Sequence, residues 1–97
     1  MARPSSVLNM HRNEVLEIAR AHGARNVRVF GSVAHGTDKD GSDVDLLIDV
    51  DSGVSLFTLI GLEQALCDLL GVKVDVRTPA EISHFIRDRV LAEARPL

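Results

Sequence analysis

A chain of 97 residues has room for one domain with one core, and not for a catalytic domain joined to a separate acceptor-binding domain. Hydrophobic residues make up 45% and aromatic residues 3%, which excludes disorder and disfavours recognition by stacking bases on aromatic side chains. With 11 basic against 14 acidic residues the formal charge is −3, so long nucleic acid is excluded as a default partner.

Cys67 is the one cysteine, which rules out an internal disulfide and a cysteine-based zinc cluster and fits a reducing compartment. It reads as a small buried apolar side chain. No signal-peptide pattern opens the chain, and Asp51, Glu63 and Asp68 interrupt its most hydrophobic region before any run of ~18 apolar residues develops. The expectation is a cytoplasmic protein with no membrane partner.

In chain order, Met1 to Pro4 are expected to fray, with Ser5 or Ser6 capping a first helix on which Val7, Leu8, Val15, Ile18 and Ala19 keep helical spacing up to a stop at Gly23. His11 and His22 lie on that helix as surface or boundary residues. A first strand is expected over Asn26–Phe30, followed by a helical turn from Gly31 to His35. Asp38 and Asp40 read as turn formers.

Val44–Val50 alternates as a strand, with Val44, Leu46, Ile48 and Val50 on one face and Asp43, Asp45, Leu47 and Asp49 on the other. The Cα atoms of Asp43 and Asp45 should stand ~6.5 Å apart along it, so that two carboxylates converge on hard cations. Asp49, beside Asp51-Ser52-Gly53, reads as turn chemistry. Leu56, Leu59, Ile60, Leu66, Leu69 and Leu70 predict a long helix with a core-facing leucine stripe, ended by Gly71, in which Gly61 marks close packing. Val72–Arg77 predicts a third strand with Lys73, Asp75 and Arg77 sharing a face. Thr78-Pro79-Ala80-Glu81 predicts a capping box opening a last helix, with Ile82, Phe85 and Ile86 inward and the Arg87-Asp88-Arg89 face solvated. The order helix, strand, turn, strand, helix, strand, helix gives an α/β class, a small mixed sheet flanked by helices.

Gly31 between strand and turn admits close approach of backbone N–H groups to an anion, and Ser32 adds a hydroxyl donor. Gly36 and Gly41 let the connection fold back toward Asp43 and Asp45. Gly31-Ser32, ten residues, then Asp43-Val44-Asp45 resembles the motif of the nucleotidyltransferase superfamily that includes DNA polymerase β, and nearly the whole chain is similar to the minimal nucleotidyltransferase family. The match extends to Gly36, Ser42 and the apolar strand after the acids. One position departs, since many minimal members carry Ala-Arg-Gly where this chain has Ala34-His35-Gly36.

The resemblance implies the nucleotidyltransferase fold over residues 1–97 and a third acid at Asp75. It implies Mg2+, two ions held by Asp43, Asp45 and Asp75, and ATP whose β- and γ-phosphates rest on Gly31 and Ser32. It further implies an antitoxin that moves AMP onto a tyrosine of a small helical HEPN ribonuclease. This chain has no tyrosine of its own. For His35 and Lys39 the residues leave open whether they contact phosphate or are solvated loop side chains. Transfer to a small-molecule hydroxyl, with a homodimer completing the pocket, and a noncatalytic module that masks its partner are the competing readings.

Overall fold

The computed structural model describes residues 3–97. Its elements are helices α1 (Pro4–Met10) and α2 (Arg12–Ala21), strand β1 (Ala24–Phe30), the short helix α3 (Gly31–His35), strand β2 (Val44–Val50), helix α4 (Leu56–Leu70), strand β3 (Val74–Arg77), a 3-10 turn at Pro79–Glu81, helix α5 (His84–Glu93) and strand β4 (Arg95–Pro96). The sheet is four-stranded in the order β3-β2-β1-β4. β1 runs antiparallel to β2 and to β4, whereas β2 and β3 are parallel and joined through α4. The expected mixed sheet flanked by helices is therefore observed, with β4 as an addition that no periodicity announced.

One face of the sheet is apolar because alternation puts Val27 and Val29, Val44, Leu46 and Ile48, and Val74 and Val76 on the same side. Against it pack Leu8 of α1, Val15 and Ala19 of α2, and Leu62, Leu66 and Leu70 of α4. Burying each such aliphatic side chain contributes about 1.5–3 kcal/mol relative to exposure. The opposite face carries the polar residues of the same strands together with the fully buried Leu47.

Several expectations are corrected. The first helix is two, interrupted at His11, whose φ of −108° and ψ of 18° leave the helical region. Pro4 is not frayed; it is buried at the first helical position, where its missing N–H costs nothing, and Arg3 rather than Ser5 or Ser6 stands at the cap. Met1 and Ala2, included in the expected fraying, lie outside the described residues. β1 begins at Ala24, two residues early, and its pairing with β2 shifts register between Arg25 and Arg28, where Asn26 takes a φ of 51°. β3 covers Val74–Arg77 only.

Asp38 is not a plain turn former. It is 3% exposed, accepts the Ser5 backbone amide at 2.9 Å and pairs with the Arg3 guanidinium at 2.9 Å. Asp49, likewise, belongs to the sheet rather than to a turn, receiving Asn26 Nδ2 at 2.9 Å and the Arg28 guanidinium at 3.0 Å. On α4 the buried positions are Leu62, Leu66 and Leu70, with Leu59 partly buried against the core, while Leu56 and Ile60 of the expected stripe face outward. Gly61 is exposed and its nearest neighbour would be His22 Nε2 at 3.9 Å, so no close packing demands it.

The capping box is real, with the Thr78 amide donating to Glu81 at 3.0 Å, yet it closes the 3-10 turn and α5 starts separately after Ser83. Ile82 is buried as expected, but Phe85 is 87% exposed and Ile86 is exposed as well; no residue of α5 is buried. Arg87 is half-buried and donates to the Ile82 carbonyl at 3.0 Å rather than lying wholly in solvent. Cys67 is also half-buried, and its sulfur receives the Val74 amide at 3.3 Å. One helical turn earlier Glu63 receives the Val76 amide at 2.9 Å, so two α4 side chains satisfy the outward N–H groups of β3, an edge strand.

Candidate active site

The polar face of the sheet is ordered by strand register. Phe30, the last residue of β1, stands opposite Asp45 of β2, and Asp45 stands opposite Asp75 of β3. One step along, Arg28, Leu47 and Arg77 form the next row. Gly31 follows Phe30 directly, so the chain leaves β1 against the Asp45 side chain. Its φ is 72°, and a Cβ there would collide with Asp45 Oδ2. Only glycine satisfies both the left-handed backbone and the close approach. Gly31, Asp45 and Asp75, separated by as many as 44 positions in the chain, are neighbours in space because of that register.

Ser32 is the second residue of α3, and its carbonyl accepts the Thr37 amide at 3.0 Å, which folds the connection back. Asp43 lies just before β2, where the Val44 amide donates to the Lys73 carbonyl at 2.9 Å and ties the start of β2 to β3. Asp43 turns toward Lys73, with Oδ2 3.8 Å from Nζ, and Asp75 Oδ1 lies 4.0 Å from the Arg77 guanidinium. As these side chains stand, no three carboxylate, imidazole or thiolate groups among the described residues converge on one point. His35 Nε2 lies 3.1 Å from Glu93 Oε2 of α5, and the exposed Lys39 lends its backbone amide to Ser42 Oγ at 2.9 Å.

The electrostatics single out Asp45. Burial raises its carboxyl above the ordinary value, the charges of Asp75 and Asp43 raise it further, and Arg77 and Lys73 only partly oppose them. Such a crowd of carboxylates, all oxygen donors, suits a hard divalent cation, which would remove the like-charge cost, and the missing side chain at Gly31 is what lets the Asp45 carboxylate stand against the backbone there. The residues present thus fit a metal, whose charge would in turn draw a phosphate toward the chain turn at Gly31.

A cavity of about 200 Å³ opens beside this row, lined by Phe30, Gly31, Ile86, Arg89, Val90 and Glu93. That α5 returns to Gly31 was not foreseen. Helical spacing marks which residues share a face, not where the helix docks, and α5 has no buried stripe to reveal it.

These features have counterparts in known proteins. The model of the nucleotidyltransferase domain family matches residues 8–97, and the chain belongs to that family. It is 39% identical over 88 residues to the protein adenylyltransferase MntA of Thermococcus cleftensis, covering 91% of this chain and 86% of that one. A solved structure described provisionally as a minimal nucleotidyltransferase superposes with a TM-score of 0.86 at 42% identity, over 96% of this chain and 95% of the other. A toxin–antitoxin crystal structure with AMP-PNP shares the fold, with a TM-score of 0.74 at 21% identity over 87% of this chain and 69% of its own. Class and fold agree with the resemblance drawn from Gly31-Ser32 and Asp43-Val44-Asp45: the protein is a nucleotidyltransferase.

Proposed function

We propose that this chain is a single minimal nucleotidyltransferase domain that transfers AMP from ATP to a hydroxyl on a partner protein, with Mg2+, as the antitoxin of a HEPN ribonuclease toxin. The observation that carries the reading is the row in which Asp45 stands between Asp75 and the backbone at Gly31. Gly31 and Ser32 hold the β- and γ-phosphates through backbone amides and the Ser32 hydroxyl. Asp43, Asp45 and Asp75 are the residues that would hold Mg2+, two ions, which when bound would supply charge neutralisation at the phosphate and ease deprotonation of the attacking hydroxyl. Asp75 receives the hydroxyl proton. The acceptor oxygen bonds to the α-phosphorus, the bond from that phosphorus to the α–β bridging oxygen breaks in line, and pyrophosphate leaves with the electron pair.

The name of the Thermococcus relative supports adenylyl transfer to protein, and the toxin–antitoxin neighbour with AMP-PNP supports both the nucleotide and the partner. A tyrosine acceptor has to arrive in trans, since the chain contains none. Exposed Phe85 and Ile86, the latter at the cavity on Gly31, offer an apolar face to an approaching protein. Lone Cys67 suits a reducing compartment, which together with ATP favours the cytoplasm.

The test is transfer of label from ATP to the partner that copurifies from the native cell. Wild type should label it, whereas Asp75→Asn should keep most ATP binding and lose most transfer. Full transfer by Asp75→Asn removes that residue from the mechanism, and inhibition of the partner without label, in wild type too, replaces the enzyme by a noncatalytic masking module.

A further inference from the structure

The cations around the polar row are unequally committed. Lys73 and Arg77 face the carboxylates of Asp43 and Asp75 at 3.8 and 4.0 Å, and so oppose charges that the row itself carries. Arg89 is different. It lines the same cavity as Gly31, its side chain is 75% exposed, and the carboxylate it meets among the described residues is Glu93, at 3.6 Å, one turn along its own helix. Exposed pairs of that kind hold weakly. Glu93 is shared, since its other oxygen lies 3.1 Å from His35 Nε2. Two basic side chains thus sit on one carboxylate at the mouth of a cavity whose remaining walls, Phe30, Ile86 and Val90, are apolar.

A triphosphate seated on the Gly31 amide would bring several negative charges to this mouth. Its reacting α-phosphate belongs beside Asp45 and Asp75, which leaves the distal phosphates toward α5. We propose that Arg89 binds the terminal phosphates of the nucleoside triphosphate, exchanging Glu93 for phosphate oxygens as the nucleotide enters. A guanidinium presents paired N–H donors that match two phosphate oxygens, a fork geometry that the single oxygen of Glu93 it now meets does not use. Glu93 is the counterion that occupies the site before the nucleotide does. This inference rests on the nucleotidyl-transfer reading and adds to it a residue that distinguishes triphosphate from monophosphate.

Isothermal titration of the full chain with Mg2+ and, in turn, ATP, inorganic triphosphate and AMP provides the test. Arg89→Ala should weaken ATP and inorganic triphosphate by about tenfold or more, the loss of a charge-assisted contact, and leave AMP within about twofold. Glu93→Gln, which removes the competing charge, should strengthen ATP by about twofold or more. An unchanged ratio of ATP to AMP affinity in Arg89→Ala, or no gain for ATP in Glu93→Gln, overturns the inference. The underlying reading fails separately: wild type would bind no triphosphate, or Asp43→Asn with Asp45→Asn would bind it as well as wild type. Triphosphate binding that needs those aspartates but ignores Arg89 sinks this inference alone.

Discussion

Asp45 concentrates the electrostatic cost of the polar row. Its pKa is raised from 3.8 by burial and then by Asp75 and Asp43, so the folded state binds a proton more readily than the unfolded one. Stability therefore falls as pH rises from about the ordinary value through the raised one, and stays lower above it. Asp45→Asn, without that charge, should melt at a higher temperature than wild type at neutral pH in the absence of metal and nucleotide, with the advantage shrinking as pH approaches 3.8. Thermal melts across that range, followed by circular dichroism, check the sign; equal melting at neutral pH would mean that Asp45 carries no like-charge penalty. With Mg2+-ATP present, the order should reverse. The acids themselves were legible in the sequence, because alternation along a strand needs no knowledge of its neighbours and assigned Asp43, Asp45 and Asp75 to polar faces. What alternation does not contain is the register that sets Asp45 against Asp75, nor the turn of Asp43 toward Lys73.

At the scale of elements, α1 is held by a residue that local chemistry misreads. Burial pushes the Asp38 carboxyl up, but the Ser5 amide and hydroxyl and then the Arg3 guanidinium outweigh it and leave the pKa below 3.8. The stabilisation is present above 3.8 and disappears as pH drops through the lowered value. Asp38→Ala should cost about 2–3 kcal/mol at neutral pH, since it strips an ion pair and orphans an amide. Urea unfolding reads the loss, and faster hydrogen exchange over Pro4–Met10 than elsewhere would place it on α1. A cost under about 0.5 kcal/mol would mean that this anchor is redundant. Aspartate in a glycine-bearing loop looks like a turn former because that is what its short side chain does locally; only the folded chain brings Ser5 within reach. The last helix carries the same lesson. Thr78 and Glu81 do close a capping box, but a box marks the start of a turn and not its length, so it could not say that the helix proper begins at His84 or that Phe85 faces solvent.

For the whole molecule, the order of elements and the apolar faces of β1, β2 and β3 were enough to give a mixed sheet flanked by helices, because burying one face of each strand leaves few other arrangements. β4 was hidden, being two residues long with a proline in it, and strand order depends on contacts far apart in sequence. The outer margin of the sheet carries one more consequence. Glu63 and Cys67 lie four residues apart on α4 and take up the Val76 and Val74 amides, which flank Asp75 and would otherwise invite another strand. Alanine at both positions keeps the helix but uncovers a ladder of donors along β3. The Glu63→Ala/Cys67→Ala protein should self-associate as its concentration rises, seen as growing light scattering, while wild type stays unchanged; a doubly substituted protein that scatters no more than wild type would mean that α4 shields the margin by bulk alone. If the substituted protein does associate, Glu63 and Cys67 are what lets the chain keep a sheet margin in a crowded cell without templating its own aggregation.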